Sequence, residues 1–457
     1  MGACSRAGSG VLVSAVGALL ALAPVALANT YTPNKLGDHA PNGCTHSDCS
    51  LREAVIAANN HPGADIVRLR GGKTYRLSIL PTGPNDATRG DLNISGKLTI
   101  ERGGEGRATV EANDVDRAFE LVGATPGIFS GLVIRDGNAP GSGPGQVGAI
   151  DAGTGKLVVK RSVVTSNHGG DGGAIEGAGG IVISHSRITR NIGDNDVGGI
   201  DAFSSGGSLK ISRSVISHNL AKQAGGAAIF TEGPTLIRDS TLSGNRSPVE
   251  DGGAIFVGSD STTTITGSTI SGNSARNGGG IHNNGGTVNL VNDTVAGNRA
   301  SQYGGGISQV PGAVANMNSV TVARNTANDD GTGGEGGGGV SGDTGVTYTI
   351  RNSLIALNKA GAGGTGPDCL FGSPQVSGGH NLLGDASGCL GFPVSTDLVR
   401  PNPRIGPLRN NGGPTKTIAL KAGSPAIGHA SKATSPKRDQ RGVKRDKHPD
   451  IGSYERH

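Results

Sequence analysis

Apolar β-branched residues fall in short alternating runs along this chain, such as Leu157-Val158-Val159, Ile181-Val182-Ile183 and Thr262-Thr263-Thr264-Ile265-Thr266. Glycine, asparagine and serine separate the runs, a pattern that predicts short strands joined by turns. No window carries a sustained helical period. The runs belong to a repeat built from two elements. One, of the form Gly252-Gly253-Ala254-Ile255, ends at Ile150, Ile175, Ile200, Ile229, Ile255, Ile281 and Ile307, with a looser copy at Val340. The other, of the form Ser271-Gly272-Asn273, ends at Asn167, Asn191, Asn219, Asn245, Asn273, Asn298, Asn325 and Asn358. Most spacings are 24 to 29 residues, and one in each series is 33, where a glycine-rich insertion intervenes. A fixed period of this size predicts a solenoid.

Three residues before each repeated asparagine stands an apolar side chain: Val164, Ile188, Ile216, Leu242, Ile270, Val295, Val322 and Ile355. Five residues before stand Ser162, Ser186, Ser214, Ser240, Ser268 and Ser353. If coils stack in parallel about 4.8 Å apart, these columns become ladders. The isoleucines then line the interior. The asparagines line one turn, where their amides bond along the stack and tolerate a left-handed backbone. The expected fold is all-β, a right-handed parallel β-helix of about ten coils in a single solenoid. Composition agrees, since aromatics are 3% of residues, tryptophan is absent and glycine numbers 82 of 457. A solenoid one coil thick fills its narrow interior with Val, Ile, Leu and Ala.

The chain opens with the features of an export signal. Arg6 precedes an apolar run from Val11 to Val25, and Ala26-Leu27-Ala28 fits a cleavage site, so residues 1–28 are expected to be removed. Cys4 lies in that piece. Cys44, Cys49, Cys369 and Cys389 remain, an even number that in an exported chain predicts two disulfides, and proximity favours Cys44 with Cys49 and Cys369 with Cys389. Zinc is the rival use, although no histidine stands in metal spacing to these cysteines. No second apolar stretch is long enough to span a bilayer.

Residues 29–90 read as an N-terminal cap. Ser50-Leu51-Arg52-Glu53 is a capping box that opens a short helix ending at Asn59-Asn60, placed to cover the exposed edge of the first coil. The motif Cys49-Ser50-Leu51-Arg52-Glu53-Ala54 resembles the CSLREA module that begins many exported bacterial β-helix proteins. The Gly-Gly-Ala-Ile and asparagine elements resemble the repeats of polymorphic outer membrane proteins, surface passengers with adhesive roles. Here Val, Ile or Leu stands where that family has phenylalanine three residues before the asparagine. The β-helix is expected over 91–383 and a closing segment with a basic tail over 384–457. That segment, through Gly423-Ser424-Pro425-Ala426-Ile427 and Asp439-Gln440-Arg441-Gly442, resembles the module that ends CSLREA β-helix proteins. The resemblance implies a secreted or cell-surface protein. No alternating ten-residue strands of a membrane barrel follow.

Charge changes the picture in one place. The net formal charge is +5, and residues 431–457 hold eight Lys or Arg against four Asp or Glu. A solvated tail is the simplest expectation. Nucleic-acid binding is not expected, since no aromatic residues interleave with those charges.

The candidate chemistry lies in the coils. Directly after the repeated isoleucine come Asp151, Glu176 and Asp201, then Phe230, Phe256, His282 and Ser308. Strand alternation turns these side chains outward. Asp171, Asp196 and Asp251 share a register four residues before the isoleucine, and Arg161, His185 and Arg213 share one six residues before the asparagine. Stacked carboxylates repel and raise one another's pKa unless a cation or basic group intervenes, which makes calcium the candidate cofactor. The plainer reading is that exposed coil positions are simply polar. The expected role is non-catalytic binding, adhesin-like, to a polysaccharide or cell-surface glycan. The alternative is a polysaccharide lyase or glycoside hydrolase acting on acidic polysaccharide, which requires the acids and a base to converge in one groove.

Overall fold

The computed structural model describes residues 27–457 apart from Pro84, 142–144, Ser205, Ala224 and 334–335, together with Gly2. The expected export signal, with Cys4, lies otherwise outside the described residues. The chain winds as a right-handed parallel β-helix. Three long sheets run its length, with thirteen, eleven and thirteen strands among the described residues. Each coil gives one strand to each sheet. In one representative coil these are Ile150–Asp151 in the isoleucine sheet, Leu157–Lys160 in the long-strand sheet and Val163–Thr165 in the asparagine-side sheet.

The registers follow the repeat. Ile150, Ile175, Ile200, Ile229, Ile255, Ile281, Ile307 and Val340 pair rung by rung, preceded by Phe119 and followed by Cys369. All these side chains are buried in one core that extends from the N-terminal helix to Cys389. The paired glycines have a steric cause. A Cβ on Gly253 would stand 2.2 Å from the Gly279 carbonyl oxygen of the next rung, and on Gly173 2.3 Å from that of Gly198. Backbones there stack too closely for any side chain.

The polar ladders are as regular as the apolar ones. Each asparagine Nδ2 donates to Oδ1 of the next, at 2.8–3.0 Å from Asn167 through Asn358, and each backbone N–H donates to the same oxygen. The last amide, Asn358, donates to Asp368 Oδ1 at 2.8 Å. The serines form a second ladder in which Ser162, Ser186, Ser214 and Ser240 each receive a backbone N–H from the preceding rung. The left-handed backbone expected at the asparagines belongs instead to the residue before each of them. Ser166, Arg190, His218, Arg324 and Leu357 have φ of 57–61°, and Gly244, Gly272 and Gly297 stand there in other coils. The asparagine itself must point inward to bond, so the turn is made one residue earlier.

The cap and the closing segment differ from expectation in extent. The helix Leu51–Asn59 carries the capping box, with Ser50 Oγ accepting from Glu53 N–H and Glu53 Oε2 accepting from Ser50 N–H. Its Arg52 is fully buried. The guanidinium pairs twice with Asp38 at 2.9 Å and donates to the carbonyls of Ala87, Gly90 and Asp91. Parallel coil strands already begin at Asp65–Arg70 and Thr74–Arg76, ahead of residue 91. Pairing continues to Leu398–Val399, beyond 383. The first coils lack the Gly-Gly-Ile signal, which is why the repeat does not mark them.

Beyond Val399 the chain doubles back along the outer surface of the asparagine-side sheet. Ile405, Ile418, Leu420, Ala426 and Ile451 bury against Ala296, Ala323, Leu354, Ala356 and Leu382. The tail therefore packs on the coils, with Arg445 buried, while Lys432, Lys437, Arg438, Lys444, Lys447 and Arg456 stay exposed to solvent. Arg445 is buried, 3.1 Å from Glu455 Oε2, and Gln440 reaches Thr294 Oγ1 and the Ser268 carbonyl. Both expected disulfides are present, Cys44–Cys49 and Cys369–Cys389. Among the described residues no helix is long and apolar enough to cross a membrane.

Candidate ligand-binding face

The outward residues of the isoleucine sheet form one column in register: Asn93, Glu120, Asp151, Glu176, Asp201, Phe230, Phe256, His282, Ser308 and Ser341. Asp151, Glu176 and Asp201 therefore stand on adjacent rungs, as the repeat predicts. Glu120 adds a fourth acid that the repeat missed, because Phe119 replaces isoleucine in its coil. Arg117 was missed too. Its guanidinium lies 2.8 Å from Asp91, 3.3 Å from Glu120 and 3.3 Å from Asp151, and neutralises that end of the column.

The next two acids have no such partner. Glu176 and Asp201 are 7% and 5% exposed, and neither forms an ion pair among the described residues. Glu176 Oε2 and Asp201 Oδ1 take no hydrogen bond there either. Burial, then repulsion from Asp151, Asp171 and Asp196, pushes Glu176 up to about 7. Burial, then Asp171 and Glu232, pushes Asp196 up to about 7. Burial, then Asp196, Glu176 and Glu232, holds Asp201 well above the usual carboxylate range. At neutral pH this part of the face holds protons or draws a counter-ion. The carboxylates do not converge as a ligand shell. Among the described residues, the one set of three such groups whose ligand atoms all lie within 4.8 Å is His39, Asp48 and Glu53, at the far cap.

The basic register lies elsewhere. Arg161, His185 and Arg213 occupy the corner between the long-strand and asparagine-side sheets, exposed, with φ of 51°, 50° and 46°. They are turn residues, and the structure does not bring them to the acids. The register four residues before the isoleucine divides as well. Asp171 and Asp196 face the acid column, whereas Asp251 pairs with Arg276 at 3.1 Å and stands 3.6 Å from His282 Nε2.

Past Asp201 the same column turns aromatic. Phe230 stacks on Phe256 with centroids 5.4 Å apart, and Phe256 meets the His282 ring at 5.2 Å. Above His282 lies an open groove of about 440 Å³. Its lining includes Asp251, Asn277, His282, Gln302, Tyr303 and Asp343. Tyr303 is 41% exposed on the rim. It is held by its N–H to Asn277 Oδ1 at 3.0 Å, and Asn277 Nδ2 in turn donates to Asp251 Oδ1 at 3.0 Å. Burial lowers the His282 pKa, with Asp251 opposing. Its Nδ1 has no hydrogen-bond partner among the described residues. In the sequence, the only trace of this groove is the change from acids to rings at Phe230.

No family model matches this chain, and no curated protein matches it. Among solved structures the chain is similar to the pectate lyase Pel9A, with a TM-score of 0.43, 14% identity, and 95% of this chain and 98% of that one covered. It is similar also to the mannuronan C-5 epimerase AlgE4 A-module of Azotobacter vinelandii, with a TM-score of 0.37, 16% identity, and 75% and 99% covered. The AlgE6 A-module of the same organism gives a TM-score of 0.34, 16% identity, and 76% and 99% covered. The site is accordingly read from its own residues.

Proposed function

We propose that this is an exported β-helix protein, of the kind that opens with a CSLREA module and carries polymorphic outer membrane protein-like repeats, and that it binds uncharged carbohydrate without cleaving it. The groove over His282 carries this reading. It pairs an exposed aromatic ring with an amide and a carboxylate, Asn277 and Asp251, that are hydrogen-bonded to each other, and with the His282 imidazole. A ring face accepts the apolar face of a sugar, and the amides and carboxylates answer its hydroxyls. Two disulfides suit an oxidising, extracellular setting.

Electrostatics favours a neutral sugar over a polyanion. Asp251 and Asp343 line the groove, Arg276 is already engaged by Asp251 and Glu250, and the acid column continues the same face. Like charges across an interface oppose association. A lyase acting on acidic polysaccharide also needs a free base among the acids; Arg161, His185 and Arg213 lie at a different corner, and Arg117, which does stand among them, is paired with Asp91, Glu120 and Asp151. The test is an array of neutral and uronic-acid oligosaccharides probed with residues 29–457, with product analysis on every bound sugar. Binding of neutral sugars without new reducing ends supports the proposal. Preferential binding or breakdown of uronic-acid chains overturns it.

A further inference from the structure

The N-terminal cap holds three metal-type ligand atoms around one point. His39 Nε2 lies 3.3 Å from Glu53 Oε2 and 3.8 Å from Asp48 Oδ1, and all three atoms are within 4.8 Å of one another. The His39 Nε2 atom is buried and takes no hydrogen bond among the described residues. Each ligand is fixed by something other than its neighbours in the trio. Glu53 is the buried N3 residue of the capping box, and Asn42 N–H donates to its Oε1 at 3.0 Å. Asp48 is set by the turn in which its N–H donates to Thr45 Oγ1 and its carbonyl accepts from Thr45 N–H, inside the loop closed by Cys44–Cys49.

From this arrangement we infer that His39, Asp48 and Glu53 bind a zinc ion, with water completing the coordination. Ligands about 2.0–2.2 Å from zinc at tetrahedral angles stand roughly 3.3–3.6 Å apart, and the His39–Glu53 separation already falls there. The imidazole selects zinc over calcium, whose ligands are oxygens. Among the described residues, Lys35, with Nζ 3.8 Å from Asp48 Oδ1, is the lysine or arginine paired with the trio, and zinc must displace it. The ion would tie the segment before the helix to its first turn, next to the edge of the first coil. The site is separate from the groove and does not rest on the carbohydrate proposal.

Calorimetric titration of zinc chloride into metal-free residues 29–457 tests it, alongside His39→Ala and Asp48→Asn. The inference requires one equivalent of zinc on the wild type, a rise in Tm that zinc alone produces, and loss of both in each variant. The zinc-dependent rise in Tm is read against each variant's own metal-free Tm, because His39→Ala also removes the contacts of Nε2 with Glu53 and Asp48. Cobalt substitution should give the intense visible bands of a four-coordinate ion. Absence of saturable zinc binding, binding retained in both variants, or a Tm rise with calcium equal to that with zinc would overturn the assignment.

Discussion

One column of outward side chains on one sheet behaves as two surfaces. From Glu120 to Asp201 it stacks carboxylates, and from Phe230 to His282 it stacks rings, on identical backbone geometry. Rings at about 5 Å gain from stacking, so the aromatic half is satisfied by the fold itself. Carboxylates at a similar spacing are acceptors only. They need a proton, a cation or an arginine between them, and Arg117 serves only the first rungs. The buried asparagine ladder shows what the acids lack. Each amide carries donor and acceptor together, so the group repeats indefinitely with every bond made.

The largest effect should come from converting the self-satisfied stack into an unsatisfied one. Asn273→Leu takes the shared acceptor from the Asn245 N–H and Nδ2, removes the side-chain donor to Leu242 O, and leaves Asn298 Oδ1 with only the backbone N–H of residue 273. At 1–3 kcal/mol per orphaned buried group, a loss of about 4 kcal/mol is expected, read as a fall in the denaturation midpoint. Arg117→Met should follow at about 3 kcal/mol, because it strips the cation from Asp91, Glu120 and Asp151. That loss should be larger at pH 8 than at pH 5, where Asp91, which burial pushes up to about 7, holds its proton.

The pH profile sharpens the contrast further. Glu176 rises from 4.5 to about 7 on folding, so the folded state binds the proton more tightly than the unfolded chain. Such a group costs nothing below pH 4 and progressively more as pH rises through the window from 4.5 to about 7. Wild-type stability should therefore fall between pH 5 and pH 8. Glu176→Gln should flatten its share, about 3 kcal/mol at pH 8 and little at pH 5, measured as midpoints across buffers. Calcium added at pH 8 separates the two neutralisers. A midpoint rise that Glu176→Gln abolishes assigns a calcium ion to the column, and no rise shows that calcium does not neutralise it.

Fold and ladders were legible because each coil repeats one residue per rung, so registers could be counted from Ile150 to Val340. Signals outside the period were not. Arg117 and Glu120 sit where no glycine pair marks the coil, and the coil from Asp65 has no isoleucine element at all. The fold-back of residues 405–451 depends on aperiodic contacts with the far side of a sheet. The acid column was legible as a stack but not as a buried one, since exposure depends on neighbouring turns. The groove was visible only as His282 and its ring neighbours, because Tyr303 and Asp343 come from turns of different coils.

The central claim is that the aromatic half of the column, and not the acidic half, is the binding surface. Isothermal titration of the best neutral oligosaccharide from the array into wild type, Tyr303→Ala and Glu176→Gln tests it most directly. Tyr303 is exposed on the rim, so its removal should leave the denaturation midpoint within about 0.5 kcal/mol of wild type. The account predicts that Tyr303→Ala weakens binding at least about tenfold, some 1.4 kcal/mol, while Glu176→Gln leaves it unchanged. Unchanged affinity in Tyr303→Ala, or binding lost in Glu176→Gln, would contradict it and place the ligand on the acids.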